Sequence, residues 1–235
     1  METQPAETSL EVESPPLSPS YQEIRAGGKD LFDKIMEATR HLDFDMVKAA
    51  RKMTLPTEER TFIFDSETDQ NALLDFYVCE YRRGGKTKVE ACAPQVMNFT
   101  PLLAGQLRAL QESRTSLFDA HSVVAERHQL ILRDLLEPER PDFPLTDIGL
   151  SATVNRYKAR ILLFTRIVSL YGFHMTAGFS FTFNSKYADM LVAGYHQRMK
   201  TVLPADRAER RFVFFYQMHQ KYGQQQEYQD VGSKK

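Results

Sequence analysis

The hydrophobic pattern changes its period twice along the chain. Apolar residues recur at helical spacing between residues 29 and 113, alternate with polar residues between 115 and 183, and return to helical spacing between 184 and 222. We therefore predict a single α+β domain over residues 21–222, in which an antiparallel sheet of about five strands is flanked by N-terminal and C-terminal helices.

The clearest strand signal lies in residues 173–183, where Phe and other apolar residues alternate with small polar residues and His174. Residues 161–168 are apolar on both faces, which predicts a central strand that pairs with 173–183 as a hairpin. Further strands are predicted over residues 115–124, 130–132 and 145–150. We expect the aromatic face of residues 173–183 to pack against the last two helices.

The helical parts carry their own start and stop signals. Residues 29–53 predict one bent helix or two short ones, and a β-like run at 61–65 precedes a helix that ends before Gly84 and Gly85. Pro101 and Pro204 each stand where a helix begins, since proline is favoured at the first helical position.

Both ends of the chain are predicted to lie outside this domain. Residues 1–20 combine glutamates and prolines without an apolar core, which predicts a disordered acidic tail. Residues 223–235 form a polar, glutamine-rich tail.

Composition narrows the class of protein. The net charge of −1 provides no general field for nucleic acid, so a protein partner is favoured and nucleic acid contact is left open. Two cysteines cannot form a disulfide framework, and neither a signal peptide nor a run of about 20 apolar residues is present. We therefore expect a cytoplasmic location, no membrane contact and no cofactor.

One acidic stretch suggests metal chemistry. Residues 62–68 end a short strand in Asp65, Ser66, Glu67 and Thr68, and this resembles the first metal-binding motif of proofreading exonucleases. In that family, paired carboxylates hold two divalent metals that activate water. The glycine expected soon after is missing here, and a helix follows instead of a second strand. Helix-capping charges are the competing interpretation.

Other polar positions could contact a ligand. Arg82, Arg83 and Lys86 follow a helix around two glycines, which could approach a phosphate, although the spacing of a nucleotide-binding loop is absent. His174 lies on the polar face of its strand and is expected to be a hydrogen-bonded structural histidine or a binding residue.

Short apolar phrases between residues 114 and 178, among them Leu132-Arg133-Asp134-Leu135-Leu136, resemble a β-rich module of uncharacterised bacterial proteins, some with a SEC-C tail that this chain lacks. The resemblance implies a bacterial intracellular protein of unknown role. Residues 147–152 are also similar to the Asp-x-Ser-x-x-Gly motif of PilZ domains, which bind a cyclic dinucleotide. Gly149 and Ala152 depart from that motif.

These observations favour a non-catalytic binding or regulatory module, because no acid, base and nucleophile converge in the sequence. One alternative is a metal-dependent nuclease or hydrolase with Asp65 and Glu67 as ligands. A second is a nucleotide-sensing β-barrel module that uses Arg133 and Asp147.

Overall fold

A computed structural model describes residues 19–224 except for residues 43, 59–60, 93–98 and 158–159. The tails predicted over residues 1–20 and 223–235 therefore fall almost wholly outside the described residues. The inner end of each predicted tail belongs to a helix or strand: Ser20 caps the first helix, and residues 223–224 form a strand.

The first half of the described chain is mainly helical, as predicted. Its elements are α1 (Tyr21–Ala38), α2 (Met46–Met53), the hairpin β1 (Thr57–Glu58) and β2 (Thr61–Phe62), α3 (Glu67–Asp75) with a π-helical turn (Phe76–Glu80), α4 (Lys88–Cys92) and α5 (Pro101–Gln111). Helix α1 begins well before residue 29 because Ser20 and Glu23 form a reciprocal capping box. Residues 29–53 therefore contain parts of two helices.

The second half builds a six-stranded antiparallel sheet between further helices. Its elements are β3 (Arg114–Val124), β4 (Gln129–Asp134), β5 (Phe143–Thr146), α6 (Ile148–Tyr157), β6 (Ile161–Leu170), β7 (Phe173–Asn184), α7 (Ala188–Met199), α8 (Arg207–Tyr222) and β8 (Gly223–Gln224). The strand order is β5-β4-β3-β6-β7-β8. The predicted α+β class and antiparallel sheet are confirmed, with one strand more than expected.

One face of the sheet packs against a cluster of aromatic side chains. Phe164 of β6 stacks on Phe215 of α8 with ring centroids 4.4 Å apart, and Phe179 of β7 lies 4.9 Å from Phe212. Leu191 of α7 joins the same cluster. The predicted packing of the aromatic strand face against the last two helices is confirmed for Phe179, Phe181 and Phe183. Phe173, at the start of that face, packs on Tyr21 of α1 instead.

The opposite face holds a smaller apolar cluster that α6 covers through Val154 and Leu150. The prediction of a strand over residues 145–150 is correct only for its first two positions. Asp147 ends the strand because its Oδ1 accepts a hydrogen bond from the backbone N–H of Leu150 at 2.9 Å, which starts α6.

Helices α1 and α5 approach each other closely at Gly27. A Cβ added there would lie 2.8 Å from Oε1 of Gln106, a buried α5 side chain whose Nε2 donates to the carbonyl of Ile24 at 2.6 Å. The neighbouring Gly28 has no atom within 4 Å of such a Cβ. Gly27 is thus the position that lets the two helices meet.

We predict that Gly28→Ala raises the free energy of unfolding by about 0.5–1 kcal/mol, because alanine restricts the unfolded chain and gains helix propensity. Gly27→Ala has the same gain but must displace the Gln106 amide, so it should be the less stable variant. Urea unfolding of the two variants and the native protein measures the order. An equal or higher stability of Gly27→Ala would contradict the predicted close contact.

Candidate functional site

A buried ion-pair network lies between the sheet and the helices. Nε of Arg166 donates to both carboxylate oxygens of Asp75 at 3.1 and 3.0 Å, and its Nη2 donates to Oε1 of Glu80 at 2.6 Å. Nη1 donates to Ser113 Oγ at 3.2 Å. The side chains of Arg166, Asp75 and Glu80 are 3%, 6% and 5% exposed. We call these three residues the Arg166 network.

The π-helical turn explains why two carboxylates reach one guanidinium. Asp75 and Glu80 are five positions apart, which would place them about 140° apart around an α-helix. In the π turn, the backbone N–H of Tyr81 donates to the carbonyl of Phe76, five residues earlier, at 2.7 Å. This wider turn brings residues five apart to one side.

The pairing of β6 with β7 is irregular next to Arg166. Thr165 pairs with Ser180 but Ile167 pairs with Thr176, so β7 contains two more residues than β6 between these positions. Gly178 lies in the longer segment with φ +124°, a backbone conformation that favours glycine. Arg166 itself faces the helical layer by ordinary alternation along β6, on the same side as Leu162 and Phe164.

The network holds more negative than positive charge. Burial raises the pKa of Asp75, against the lowering effect of the Arg166 charge, and the neighbouring Glu80 raises it further. Burial also raises the pKa of the Cys79 thiol well above its usual value. Cys79 is therefore a neutral thiol and not a reactive thiolate.

A pocket of 470 Å³ opens beside the network, between α1, α3, α5, β6 and β7. Its walls are mainly apolar, and its polar members include Asp75, Asn71 and Gln106. The exposed residues Gly28, Lys29 and Gly178 mark its side toward solvent. We call it the α1–β7 pocket. Representative apolar members are Ile24, Leu31, Phe32, Val78, Val168 and Met175.

This site was not predicted, although the sequence contains one signal for it. Arg166 is a charged residue inside a strand that was predicted to be apolar on both faces, and a fully buried arginine requires a partner. Its partner Asp75 looked like an ordinary helical residue. The pocket could not be predicted because its walls come from segments far apart in the chain.

Arg25 lines one side of the pocket and is the salt-bridge partner of Asp147. Its Nη2 forms a salt bridge with Oδ2 of Asp147 at 3.0 Å, and its Nη1 donates to the carbonyl of Thr176 at 2.6 Å. Asp147 thus joins α1 to β7 and caps α6. Among the residues predicted from sequence to bind a ligand, Asp147 contacts two residues of the pocket lining, Arg25 and Thr176.

The other predicted binding residues lie in different places. Arg133 pairs with Asp142 on the surface, where Asp142 also contacts His121 at 2.9 Å. The structure therefore gives Arg133 and Asp147 separate partners. His174 contacts Ser169 Oγ through Nδ1 at 2.7 Å, and burial lowers its pKa.

The basic segment after the π turn forms a tight turn. Arg83 and Lys86 exchange backbone hydrogen bonds at 2.9 and 3.1 Å around Gly84 and Gly85, which both have positive φ. Arg82 forms a salt bridge with Glu90 at 2.9 Å. None of its residues lines the α1–β7 pocket.

Lys88, in the same basic run, lies in the interior instead. Its Nζ donates to Thr39 Oγ1 at 2.8 Å and lies 4.8 and 4.9 Å from the ring centres of Phe44 and Tyr77. Burial lowers the pKa of Lys88. A lysine so enclosed is a structural cation held by aromatic rings.

The acidic stretch at residues 65–69 forms the start of α3. Ser66 accepts from the backbone N–H of Asp69 at 3.2 Å, and Asp69 Oδ1 accepts from Gln220 Nε2 at 2.8 Å. Asp65 lines a second pocket beside Tyr216, whereas Glu67 is the first helical residue. Within the described ranges, no three His, Cys, Asp or Glu side chains are grouped so that they could hold a metal ion.

The fold and the pocket together define a helix-covered antiparallel-sheet protein with a small-molecule-sized pocket. The chain matches the Family of unknown function (DUF7986) over residues 17–229 and belongs to that family. No curated protein and no solved structure matches it. The family match agrees with the predicted uncharacterised module, while the bacterial origin and the likeness to SEC-C proteins stay predictions. Among the described residues, no helix is both long and apolar enough to cross a membrane.

We predict that Arg166→Met lowers the free energy of unfolding by about 3–5 kcal/mol, because it leaves two carboxylates buried without a counter-charge. Arg133→Met is the matched control, since Arg133 also lies in a strand and pairs with an aspartate, but at the surface. Urea unfolding at neutral pH compares them. Equal losses in the two variants would contradict a central role of the buried network.

A second prediction concerns pH. Because the pKa of Asp75 is raised above its ordinary value of 3.8, folded Asp75 keeps a proton that the unfolded chain releases. Its stabilising contribution is thus complete below that value and is lost as the pH rises through the raised pKa. The stability of the native protein relative to Asp75→Asn should therefore fall as the pH rises above about 4. Urea unfolding across this range measures the difference, and a constant or increasing difference would refute it.

Proposed function

We propose that the protein is a non-catalytic binding module that takes a small, largely apolar molecule into the α1–β7 pocket. The observation that carries the proposal is a pocket of 470 Å³ whose apolar walls end at a buried carboxylate. Small-molecule sites commonly have volumes of about 300–1,000 Å³, apolar linings and a few placed polar groups.

The chemistry of the pocket supports binding over catalysis. Asp75 is bound to Arg166, and the neutral Cys79 thiol is a weak nucleophile. Neither His174 nor His219 lines the pocket. The polar groups are thus arranged to orient a ligand.

The expected affinity is moderate. Each buried methylene contributes about 0.8 kcal/mol, so a chain of about eight carbons gains about 6 kcal/mol before the costs of ordering are subtracted. Dissociation constants between about 1 mM and about 1 μM correspond to about 4–8 kcal/mol. Before those costs, the contribution of the apolar part alone falls in the middle of that range.

The alternatives have less support. A metal-dependent hydrolase would need a further ligand near Asp65 and Glu67, and a nucleotide sensor would need Arg133 and Asp147 at one site. A cytoplasmic location stays part of the proposal, supported by two free cysteines, one of them buried.

The proposal predicts that a neutral fluorescent probe, N-phenylnaphthylamine, binds the native protein and is displaced by alkyl compounds. Ala177→Phe places a ring in the pocket and should weaken probe binding at least about tenfold without lowering the melting temperature, because it fills existing space. Ala205→Phe is the control, since Ala205 is exposed and lies outside the pocket.

Fluorescence titration and a thermal melt of each variant give the result. Binding that is equally strong in native protein and Ala177→Phe would place the probe elsewhere and reject the proposed site. Absence of binding to the native protein at solubility-limited probe concentrations would reject an apolar ligand.

A further inference from the structure

The Arg166 network is one positive charge short when both of its carboxylates are ionised. One guanidinium then faces two carboxylates, and the neighbouring Ser113 and Thr115 are uncharged. Buried charges require partners, because water is not there to stabilise them. Of the two carboxylates, Asp75 lines the α1–β7 pocket and Glu80 does not. A cation that enters the pocket can therefore reach the network only through Asp75.

Gln106, a polar residue of the pocket lining, carries a second acceptor that lacks a partner in the described part of the chain. Gln106 is 5% exposed, and its Oε1 is buried without a hydrogen-bond partner among the described residues. Its amide orientation is fixed because Nε2 donates to the carbonyl of Ile24 at 2.6 Å, and the flipped amide would bring two oxygens together. A buried acceptor without a donor is costly.

We infer that the pocket selects an apolar molecule with a protonated amine, whose ammonium pairs with Asp75 as the missing cation of the network. The inference rests on the proposed function and names the class of its ligand. An ammonium has three N–H donors and no acceptor, which suits a pocket whose buried polar groups include a carboxylate and an unpartnered amide oxygen.

An anionic ligand is the competing class, and the cations near the pocket favour it less. Arg25 is already bound to Asp147, to the Thr176 carbonyl and to the Thr176 hydroxyl. Lys29 is exposed, so its attraction to an anion is weakened by water and salt. The interaction with Asp75 takes place in the interior, where charge interactions are stronger.

The test compares octylamine, octanol and octanoate as competitors of N-phenylnaphthylamine at neutral pH, where the amine is protonated. These compounds share one apolar chain and differ in the head group. We expect octylamine to bind at least about tenfold more tightly than octanoate, and more tightly than octanol.

Substitutions in the network test whether Asp75 causes the preference for the amine. Asp75→Asn should weaken octylamine about tenfold while octanol changes by less than about twofold. Glu80→Gln serves as a second variant that removes a network charge without altering the pocket lining, and it should also reduce the preference for the amine. Asp33→Asn, at an exposed position of α1 outside the pocket, is the matched control and should change none of the affinities.

The outcomes separate the two proposals. If the probe does not bind native protein, the proposed function fails and the ligand class fails with it. If the probe binds but octanoate or octanol competes as well as octylamine, only the amine inference is overturned. It is also overturned if both network variants keep the full preference for the amine, or if Asp33→Asn loses it equally.

Discussion

The burial of Arg166 against Asp75 and Glu80 is the constraint on which the arrangement of this protein depends. The three side chains come from strand β6, the end of α3 and the π-helical turn, so the sheet and the helical layer must meet in one register. A shift of either element would leave a charge buried without its partner, at a cost of about 3–5 kcal/mol. Apolar packing alone tolerates such shifts more readily.

Two irregular segments of the backbone lie next to this network. The π turn brings two carboxylates to one side of a helix, and β7 has a longer segment opposite Arg166, which itself faces the helical layer by regular alternation along β6. The same segment contributes Thr176, Ala177 and Gly178 to the pocket. The pocket therefore lies where the strand departs from regular pairing, beside the ion-pair network.

The sequence predicted the regular elements much better than these irregular ones. Strand β7 was clear because its Phe residues alternate with polar ones, and α8 because its aromatic residues recur at helical spacing. Helix α6 was missed because Gly149 and its polar neighbours give little helical signal, while the capping role of Asp147 depends on tertiary structure. The π turn left no local trace, since it is stabilised by Arg166, far along the chain.

The residues of the candidate site were as hard to predict from the sequence as the irregular backbone segments. Arg82 and Arg133 were predicted to bind a ligand because charged residues are easily recognised in a sequence. In the structure each of them pairs with a nearby carboxylate. Asp75 takes part in both the internal ion pairs and the pocket wall. A cation bound there supplies the charge that the network lacks, so ligand binding and folding stability depend on the same carboxylate. A ligand of that class should therefore stabilise the fold beyond the contribution of its apolar surface, because it binds the native state and relieves a buried charge.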